Sequence, residues 1–283
     1  MAIAVVTDST SDIEPARAKE LGIDVVPLFV IFGEKSYRDY VDLSRREFYE
    51  KLASEPVLPT TSQPTSQMFE DAFRPHVDAG DRVLCIVISS KLSGTINAAR
   101  AAAQQFPAAS ITIVDSESVA GGLGMHVLHA CALAKAGADL ETILAVIERE
   151  KRTQHLYACI PDLSHVVRTG RIGKAKAVIG TLMKIVPVIS LKDGEVVAQA
   201  QVRTLSRAQQ TMIDLSLEQV TDASKARFLV MHTNAPELAK DILERLRTRL
   251  GAQEPEMLDI LEAGPVIATH GGPGAVGVFS AQD

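Results

Sequence analysis

The chain has 283 residues, of which 46% are hydrophobic, 23% charged and 4% aromatic, and its formal net charge is −6 with a pI near 5.7. This composition supports a well-buried core, but it lacks the clustered basic face and the aromatic platforms of nucleic-acid-binding proteins. Charged, Gly or Pro positions interrupt every hydrophobic stretch, so we expect no stable membrane insertion.

The first half alternates short apolar runs with helical patterns, which predicts a parallel sheet flanked by helices. Strands are predicted over residues 3–6, 25–31, 83–88 and 111–114, and helices over 14–21, 94–105, 119–135 and, after an Asp139 cap, 140–150. A further helix begins after Ser44, which forms a capping-box pattern with Glu47.

The second half opens with a β-hairpin. Two apolar runs, 185–191 and 195–202, flank Lys192-Asp193-Gly194, whose Gly suits a tight turn. A helix over 206–220, a strand over 227–231, a helix over 236–250 and a strand ending at 266–270 are predicted to follow. The hairpin implies a mixed sheet, so we expect two α/β domains, residues 1–152 and 153–283, with a ligand in the cleft between them.

The cysteines and the first residues bear on the compartment. Cys85, Cys131 and Cys159 are scattered in apolar contexts. An odd, dispersed set is typical of reduced core thiols and not of a disulfide framework or a zinc site. The first residues show no basic region ahead of an apolar one, so no signal peptide is predicted. We expect a cytoplasmic protein.

Four polar, turn-forming segments follow predicted strands or open predicted helices. They are residues 7–12, 59–65 (in which Pro64 suits the first turn of a helix), 89–95 and 270–277. Loops at the carboxyl ends of parallel strands converge on one edge, where helix N-termini offer unpaired N–H groups. Hydroxyl-rich segments in that position are typical of a small-anion site. Ordinary N-capping is the alternative for each segment taken alone.

The last of these segments contains Gly272, Gly274 and Gly277 in the spacing G-x-G-x-x-G. A dinucleotide fingerprint is not indicated, because no helix–strand unit and no acidic residue about 20 positions on follow it. We interpret the segment as a loop that lets a ligand approach the backbone, with His270 at its mouth; a plain tight turn is the alternative. Residues 170–174 do not fit a P-loop, so ATP binding by that route is not predicted.

The densest basic cluster comprises Arg168, Arg171 and Lys174, and a long apolar stretch, 175–188, follows it. Arg forks suit carboxylate and phosphate groups, and Arg203 at the far end of the hairpin is a further candidate. A cationic mouth beside an apolar helix suits an amphiphile with a negative head group. A solvated basic face is the alternative.

Catalytic and metal sites find less support in the sequence. Ser93, His270 and Asp8 are the residue types of a catalytic triad, but Leu92-Ser93-Gly94 is not a G-x-S-x-G nucleophile elbow. His126 and His129 lie three apart on one predicted helix without a third ligand in view, which favours a core or surface role. We predict no metal and no cofactor.

Taken together and in order, five segments make this chain resemble the DegV family, also known as the fatty-acid-binding subunits of bacterial fatty acid kinase. The matching segments are Thr7-Asp8-Ser9-Thr10-Ser11-Asp12, Thr61-Ser62-Gln63-Pro64, Leu92-Ser93-Gly94-Thr95, Arg168-Thr169-Gly170-Arg171-Ile172 and His270-x-Gly272-Pro273-Gly274. Each segment alone is common, whereas the ordered set covers essentially the whole chain. Ile96 departs from the pattern, since many relatives carry an aromatic residue there.

The resemblance implies two α/β domains that bind one long-chain fatty acid, such as palmitate, stearate or oleate, between them. It places the carboxylate on Thr61 and Ser93, with Ser62, Gly94 and Thr95 beside them. It places His270 near the head group with basic support from Arg203, and gives Arg168 and Arg171 a contact with the head group or with a partner. It also implies that a separate ATP-dependent kinase subunit phosphorylates the bound acid for phospholipid synthesis, the chain itself being no enzyme.

Two hypotheses of other classes remain open at this point. A small hydrolase or phosphotransferase would use Asp8 and His270 as acid and base on a small anionic substrate. A purely structural or regulatory protein would bind no small molecule, and its thermal stability would not respond to added fatty acid.

Overall fold

The computed structural model describes residues 2–175 and 185–282. Contacts along the chain divide it into two compact units, each with its own sheet and core. The first unit comprises residues 1–151 together with 264–266, and the second comprises 152–263 and 267–283.

The first unit is built on a four-stranded parallel sheet. The strands of the whole unit, in chain order, are β1 (Ile3–Asp8), β2 (Asp24–Val26), β3 (Phe29–Phe32), β4 (Lys35–Arg38), β5 (Thr60–Ser62), β6 (Arg82–Val87) and β7 (Ile111–Asp115). The parallel sheet has the order β2-β1-β6-β7, which confirms the predicted α/β class for this half.

Helices cover both faces of this sheet. The helices of the unit are α1 (Pro15–Leu21), α2 (Arg45–Ser54), α3 (Ser66–Asp78), α4 (Thr95–Ala103), α5 (Ala120–Lys135) and α6 (Leu140–Thr153), of which α2 packs Phe48 against Phe32 of β3 instead. Val5 and Leu84 belong to one core cluster with residues of α1, α5 and α6, whereas Val6 and Cys85 belong to another with residues of α3 and α4. This division follows from strand geometry, because successive side chains point to opposite faces.

The single strand predicted over 25–31 is wrong, because the chain breaks there into β2 and β3. Pro27 has no N–H to give to a ladder, and the N–H of Leu28 donates to Ser9 Oγ at 3.0 Å instead of to a strand. After this break β3 joins a separate antiparallel sheet of order β4-β3-β5 that the sequence analysis did not predict.

Two helix starts in this unit test the capping predictions. The capping box of Ser44 and Glu47 is present at α2, and Asp139 Oδ1 accepts the N–H of Thr142 at the start of α6. Pro64, expected in the first turn of a helix, lies instead before Thr65, which caps α3 with its hydroxyl. A Thr hydroxyl accepts from the first turn, a role that proline lacks.

The second unit contains a six-stranded mixed sheet. Its strands are β8 (His155–Cys159), β9 (Val186–Lys192), β10 (Glu195–Val202), β11 (Ala226–His232), β12 (Met257–Glu262) and β13 (Val276–Gln282), in the order β10-β9-β8-β13-β11-β12. Only β11 and β12 pair in parallel among these neighbours. The predicted hairpin is confirmed, and Asp193 and Gly194 both adopt the positive φ that its tight turn requires.

The described helices of this half are α7 (Ser164–Arg168), α8 (Leu205–Glu218), α9 (Pro236–Leu250) and α10 (Pro265–Gly271), of which α10 begins in the first unit and continues in the second from Ile267. Buried residues of α8 and α9 share one core cluster with the sheet. The strand predicted to end at 266–270 is wrong, since these residues lie in α10. A short apolar run fits a strand or a buried helix equally well, and here Pro265 opens the helix and Gly272, at a φ of 67°, follows its end.

The remaining expectations concern membranes, thiols and the apolar stretch. No helix in the described ranges combines the length and apolarity that a bilayer crossing needs. Cys85, Cys131 and Cys159 are free and buried, as expected for reduced core thiols. Most of the apolar stretch 175–188 lies outside the described residues, and so does the helix expected there.

Candidate functional site

Two of the hydroxyl-rich segments meet in the first unit. Thr61 lies in β5, where it pairs with Val30, and the chain then passes through Gln63 to the start of α3. A Cβ atom placed on Gly94, at the start of α4, would lie 3.1 Å from Gln63 Cδ and closer still to Oε1. The Gln63 amide therefore packs on the bare Cα of Gly94. The structure thus brings the T-S-Q-P and L-S-G-T segments together.

The hydroxyls of the second segment form a small network. Ser93 Oγ lies 2.9 Å from Thr95 Oγ1 and accepts the backbone N–H of Thr95 at 3.3 Å. Thr95 is fully buried and Ser93 half-buried, and Gly94 caps α4 without a side-chain hydrogen bond. Ser62 is exposed and donates to the Gln63 carbonyl at 3.3 Å. Hydroxyls beside a helix start are suited to bind a carboxylate.

Residues 7–12, the first of the polar segments, are all buried. Asp8 is fully buried, and its carboxylate accepts the N–H of Ile88 at 2.8 Å and both the N–H and the hydroxyl of Thr10. Burial raises the pKa of the Asp8 carboxyl, against the lowering effect of these hydrogen bonds. The contacts tie the end of β1 to the end of β6, so this segment organises the strand ends.

A buried acidic pair, which the sequence analysis missed, lies in the same unit. Asp12 and Asp39 are each 1% exposed. Asp12 Oδ1 accepts the N–H of Gly264 at 2.9 Å and the hydroxyl of Tyr40 at 3.2 Å, and Arg45 donates to that hydroxyl. Burial raises the pKa of Asp12 to about 7, and burial together with Asp12 raises the pKa of Asp39. Only the folded chain reveals this pair, because its members come from separate loops.

The candidate residues of the second unit surround His270, which lies in α10. Its Nδ1 is 2.8 Å from Thr169 Oγ1. Burial lowers the pKa of His270 to about 3, and the charges of Arg171 and Arg168 and the nearby His165 act in the same direction. At neutral pH this imidazole is therefore uncharged. Arg168 and Arg171 thus lie close enough to His270 for their charges to act on it.

The loop after His270 is held from two sides. The hydroxyl of Thr233 donates to the Gly272 carbonyl at 2.5 Å and accepts the N–H of Ala275 at 2.9 Å. Gly272 packs against the ring of His165, and a Cβ atom there would lie 2.7 Å from Cδ2. Gly277 lies within β13, so the G-x-G-x-x-G spacing does not open a helix. The loop is therefore a tight turn held by the hydrogen bonds of Thr233, a residue that the sequence analysis missed.

The basic side chains that the sequence analysis named as candidates are exposed. Arg168 and Arg171 lie on the surface, and Arg171 donates to the Thr169 carbonyl at 2.5 Å. Lys174 pairs with Glu195 at 2.8 Å. Arg203 is exposed between β10 and α8.

The competing sites are occupied by other interactions. Of the three residues with the side chains of a catalytic triad, Ser93 is hydrogen-bonded to Thr95, Asp8 to Thr10 and Ile88, and His270 to Thr169. His126 and His129 both contact Glu150, at 2.9 and 2.7 Å. Within the described ranges no group of three acidic, His or Cys side chains is arranged to hold a metal ion.

Comparisons with known proteins agree with one another. The profile of the DegV family, described as uncharacterised proteins, matches residues 2–283. A DegV domain-containing protein of Halalkalibacterium halodurans is 38% identical over 98% of this chain and 97% of its own length.

Solved structures of two relatives share the fold. A Thermus thermophilus DegV family protein, described by its fatty acid binding, superposes with a TM-score of 0.91 at 34% identity, covering 100% of both chains. DegV of Bacillus subtilis, described as a fatty acid binding protein, gives 0.90 at 33% identity, again over 100% of both chains.

Proposed function

This chain belongs to the DegV family, and on that premise we propose that it binds one long-chain fatty acid, such as palmitate, stearate or oleate. The two relatives described as fatty-acid-binding support the proposal, because each covers the whole chain at more than 30% identity. Within the molecule, its main support is the contact between Gln63 and Gly94, which joins the two hydroxyl-rich segments.

We assign the carboxylate to Thr61 and Ser93, with Ser62, Gly94 and Thr95 beside them. A buried carboxylate is costly unless hydrogen bonds replace its water. The Ser93 and Thr95 hydroxyl oxygens lie 2.9 Å apart at the start of a helix, so one proton joins them and the other hydroxyl proton can be donated to the carboxylate. A contact between an ionised carboxylate and a hydroxyl is worth about 1.5–3 kcal/mol.

From the second unit we assign His270 and Arg203 to ligand binding. Arg168 and Arg171 are assigned either to the head group or to a partner protein. Both are exposed, so a docking partner can reach them, and both lie close enough to His270 to lower its pKa. The acyl chain supplies most of the affinity, since about fifteen methylenes at ~0.8 kcal/mol each contribute roughly 12 kcal/mol before binding costs.

The chain is proposed to act as a cytoplasmic carrier, not as an enzyme. In this scheme it presents the acid to a separate ATP-dependent kinase subunit, which forms the acyl phosphate for phospholipid synthesis. The support is indirect: Asp8, the acid of the rival hydrolase hypothesis, is fully buried and hydrogen-bonded inside its own unit.

The first test is native mass spectrometry of the freshly purified protein, followed by solvent extraction and identification of the released molecule. A long-chain fatty acid at one per chain is the expected result. A protein that stays empty after incubation with palmitate and oleate would exclude the carrier function. Turnover of a phosphate ester that is lost in Asp8→Asn would support the enzyme hypothesis instead.

The second test addresses the carboxylate. Thr61→Ala and Ser93→Ala should each weaken palmitate binding roughly tenfold to hundredfold, the equivalent of about 1.5–3 kcal/mol. Thr60→Ala is the matched control, because Thr60 neighbours Thr61 in β5 and is exposed. Ser90→Ala is the control for Ser93, since Ser90 is exposed in the same loop. Unchanged affinity in both site variants would refute the assignment.

A further inference from the structure

The two buried acids Asp12 and Asp39 face a segment from the other end of the chain. Residues 264–266, called the return segment below, belong to the first unit although the residues on both sides of them belong to the second. Asp12 Oδ1 accepts the N–H of Gly264 at 2.9 Å, and the N–H of Val266 faces Asp39. The backbone of the return segment therefore meets the first unit at both carboxyl groups.

These carboxyl groups lack a compensating cation. Asp12 Oδ2 and both oxygens of Asp39 are buried without a hydrogen bond of full geometry. Arg45 is the cation beside them, but it donates to the hydroxyl of Tyr40 at 2.9 Å and pairs with Glu14. Along the described part of the chain, no lysine or arginine forms an ion pair with Asp12 or Asp39. Two buried carboxylates without such a partner are costly to ionise.

The titratable and charged groups that face the pair are Tyr40, Arg45 and Glu14. Burial outweighs the lowering effect of Arg45 and raises the pKa of Asp12 to about 7. Burial also raises the pKa of Asp39 well above its ordinary value, and the charge of Asp12 adds to this effect. The Tyr40 hydroxyl stays protonated, because burial raises its pKa as well. In water aspartate titrates near pH ~4, so the buried pair holds protons that a hydrated pair releases.

We propose that the Asp12–Asp39 pair makes the attachment of the return segment depend on pH: the segment stays attached while the pair keeps its protons and opens more readily as they are lost. Opening exposes both carboxyl groups to water, where they ionise and release up to two protons to the solvent, and no bond between heavy atoms forms or breaks. Because α10 begins inside the return segment, opening also frees the start of the helix that carries His270. This pH dependence does not require fatty acid binding.

Proton linkage gives the sign and the size of the effect. Above about pH 4 the closed pair holds more protons than the open one, so opening becomes more favourable as the pH rises. The opening constant should grow about tenfold per pH unit for each proton released, which is about a hundredfold per unit when both are released. Above about pH 7 the slope should fall to about tenfold, because Asp12 has then lost its proton in the closed state as well. The segment is therefore attached most firmly in weak acid.

Amide hydrogen exchange of the full chain, followed by NMR between about pH 5 and 8, measures this opening. After correction for the intrinsic pH dependence of exchange, the protection of the Gly264 N–H should fall at least about tenfold per pH unit. The N–H of Ala275 is the matched control, because it is an amide of a buried residue whose acceptor, the Thr233 hydroxyl at 2.9 Å, does not titrate in this range. Its protection should change much less.

Two variants assign the effect to the pair. Asp12→Asn and Asp39→Asn keep the size of the protonated acid but cannot ionise, so each should remove about one factor of ten per pH unit from the slope. The double variant should keep the segment attached at about pH 8. Asp78→Asn is the control, because Asp78 is an exposed acid of α3, and it should keep the wild-type slope.

A second measurement on the wild-type protein does not depend on the folding of any variant. The carboxyl ¹³C signals of Asp12 and Asp39 should still be those of protonated acids at about pH 6. Ionised signals at that pH, or equal protection of Gly264 across the range, would overturn the proposal, and so would a slope that persists in the double variant. A gain of protection with Mg²⁺ or Ca²⁺ that a chelator reverses would also overturn it, since the pair would then bind a cation instead of protons.

Discussion

The turn that follows α10 offers a quantitative test of how tightly the second unit is built. Gly272 and Gly274 have φ values of 67° and 85°, where a residue with a side chain is strained by about 1–2 kcal/mol. Their surroundings differ. A Cβ atom on Gly272 would lie 2.7 Å from His165 Cδ2, whereas one on Gly274 would meet Pro161 Cγ at an ordinary 3.6 Å.

Gly274→Ala should therefore lower the free energy of unfolding by the backbone strain alone, about 1–2 kcal/mol. Gly272→Ala should add the overpacking of a buried ring, about 1–3 kcal/mol, for a total of about 2–5 kcal/mol. The turn has little freedom to relax, because Thr233 is bonded to both the Gly272 carbonyl and the Ala275 N–H.

Urea unfolding of both variants gives the difference, provided that the m-value is unchanged. Repeating the pair in a His165→Ala background removes the ring, so the extra cost of Gly272→Ala should disappear there while the strain remains. Equal destabilisation by the two substitutions in the wild-type background would refute the reasoning. So would an extra cost that persists without the ring.

Three further predictions follow from other contacts. Burial raises the pKa of Glu150, but the hydrogen bonds from two imidazoles outweigh burial and lower the pKa from 4.5 to about 2. The ionised Glu150 therefore stabilises the fold above pH 4.5, and this contribution is lost as the pH falls towards 2. Glu150→Gln should flatten that loss in acid unfolding curves, whereas Glu148→Gln on the same helix should keep it. Gly94→Ala should displace the Gln63 amide that packs on Gly94 and should weaken palmitate binding measured by calorimetry. The free energy of unfolding should change by less than about 1 kcal/mol, because the Gln63 side chain is exposed and flexible. Ser44→Ala should cost about 1 kcal/mol in urea unfolding through the lost capping box, and Ser54→Ala at the other end of α2 less than about 0.5 kcal/mol.

Local chemistry made much of the fold predictable. The hairpin depends on Asp193 and Gly194 at two adjacent positive-φ positions, and the start of α2 depends on a serine and a glutamate three residues apart. Such signals lie within a few residues, so they do not need the rest of the chain. The break at Pro27 was a local signal too, and proline there should have split the predicted strand.

The remaining features depend on contacts between distant residues. The α10 helix carries an apolar run that reads equally well as a strand, and only its surroundings decide between them. Asp12 and Asp39 share one buried environment although 27 positions separate them in the sequence. The hydrogen bond between Thr169 and His270 joins residues that are 101 positions apart along the chain. Motif order thus indicated which residues to consider, and the tertiary contacts determined how they interact.

The three residues 264–266 have a consequence for synthesis. They complete the first unit, where the N–H of Gly264 donates to the buried Asp12, yet the ribosome makes them roughly a hundred residues after the rest of that unit. At 5–20 residues per second the delay is on the order of ten seconds. During that time the nascent first unit carries a buried acidic pair without one of its backbone donors. The two units therefore cannot mature strictly one after the other, and a fragment that stops at residue 151 should be less stable than the same residues in the full chain.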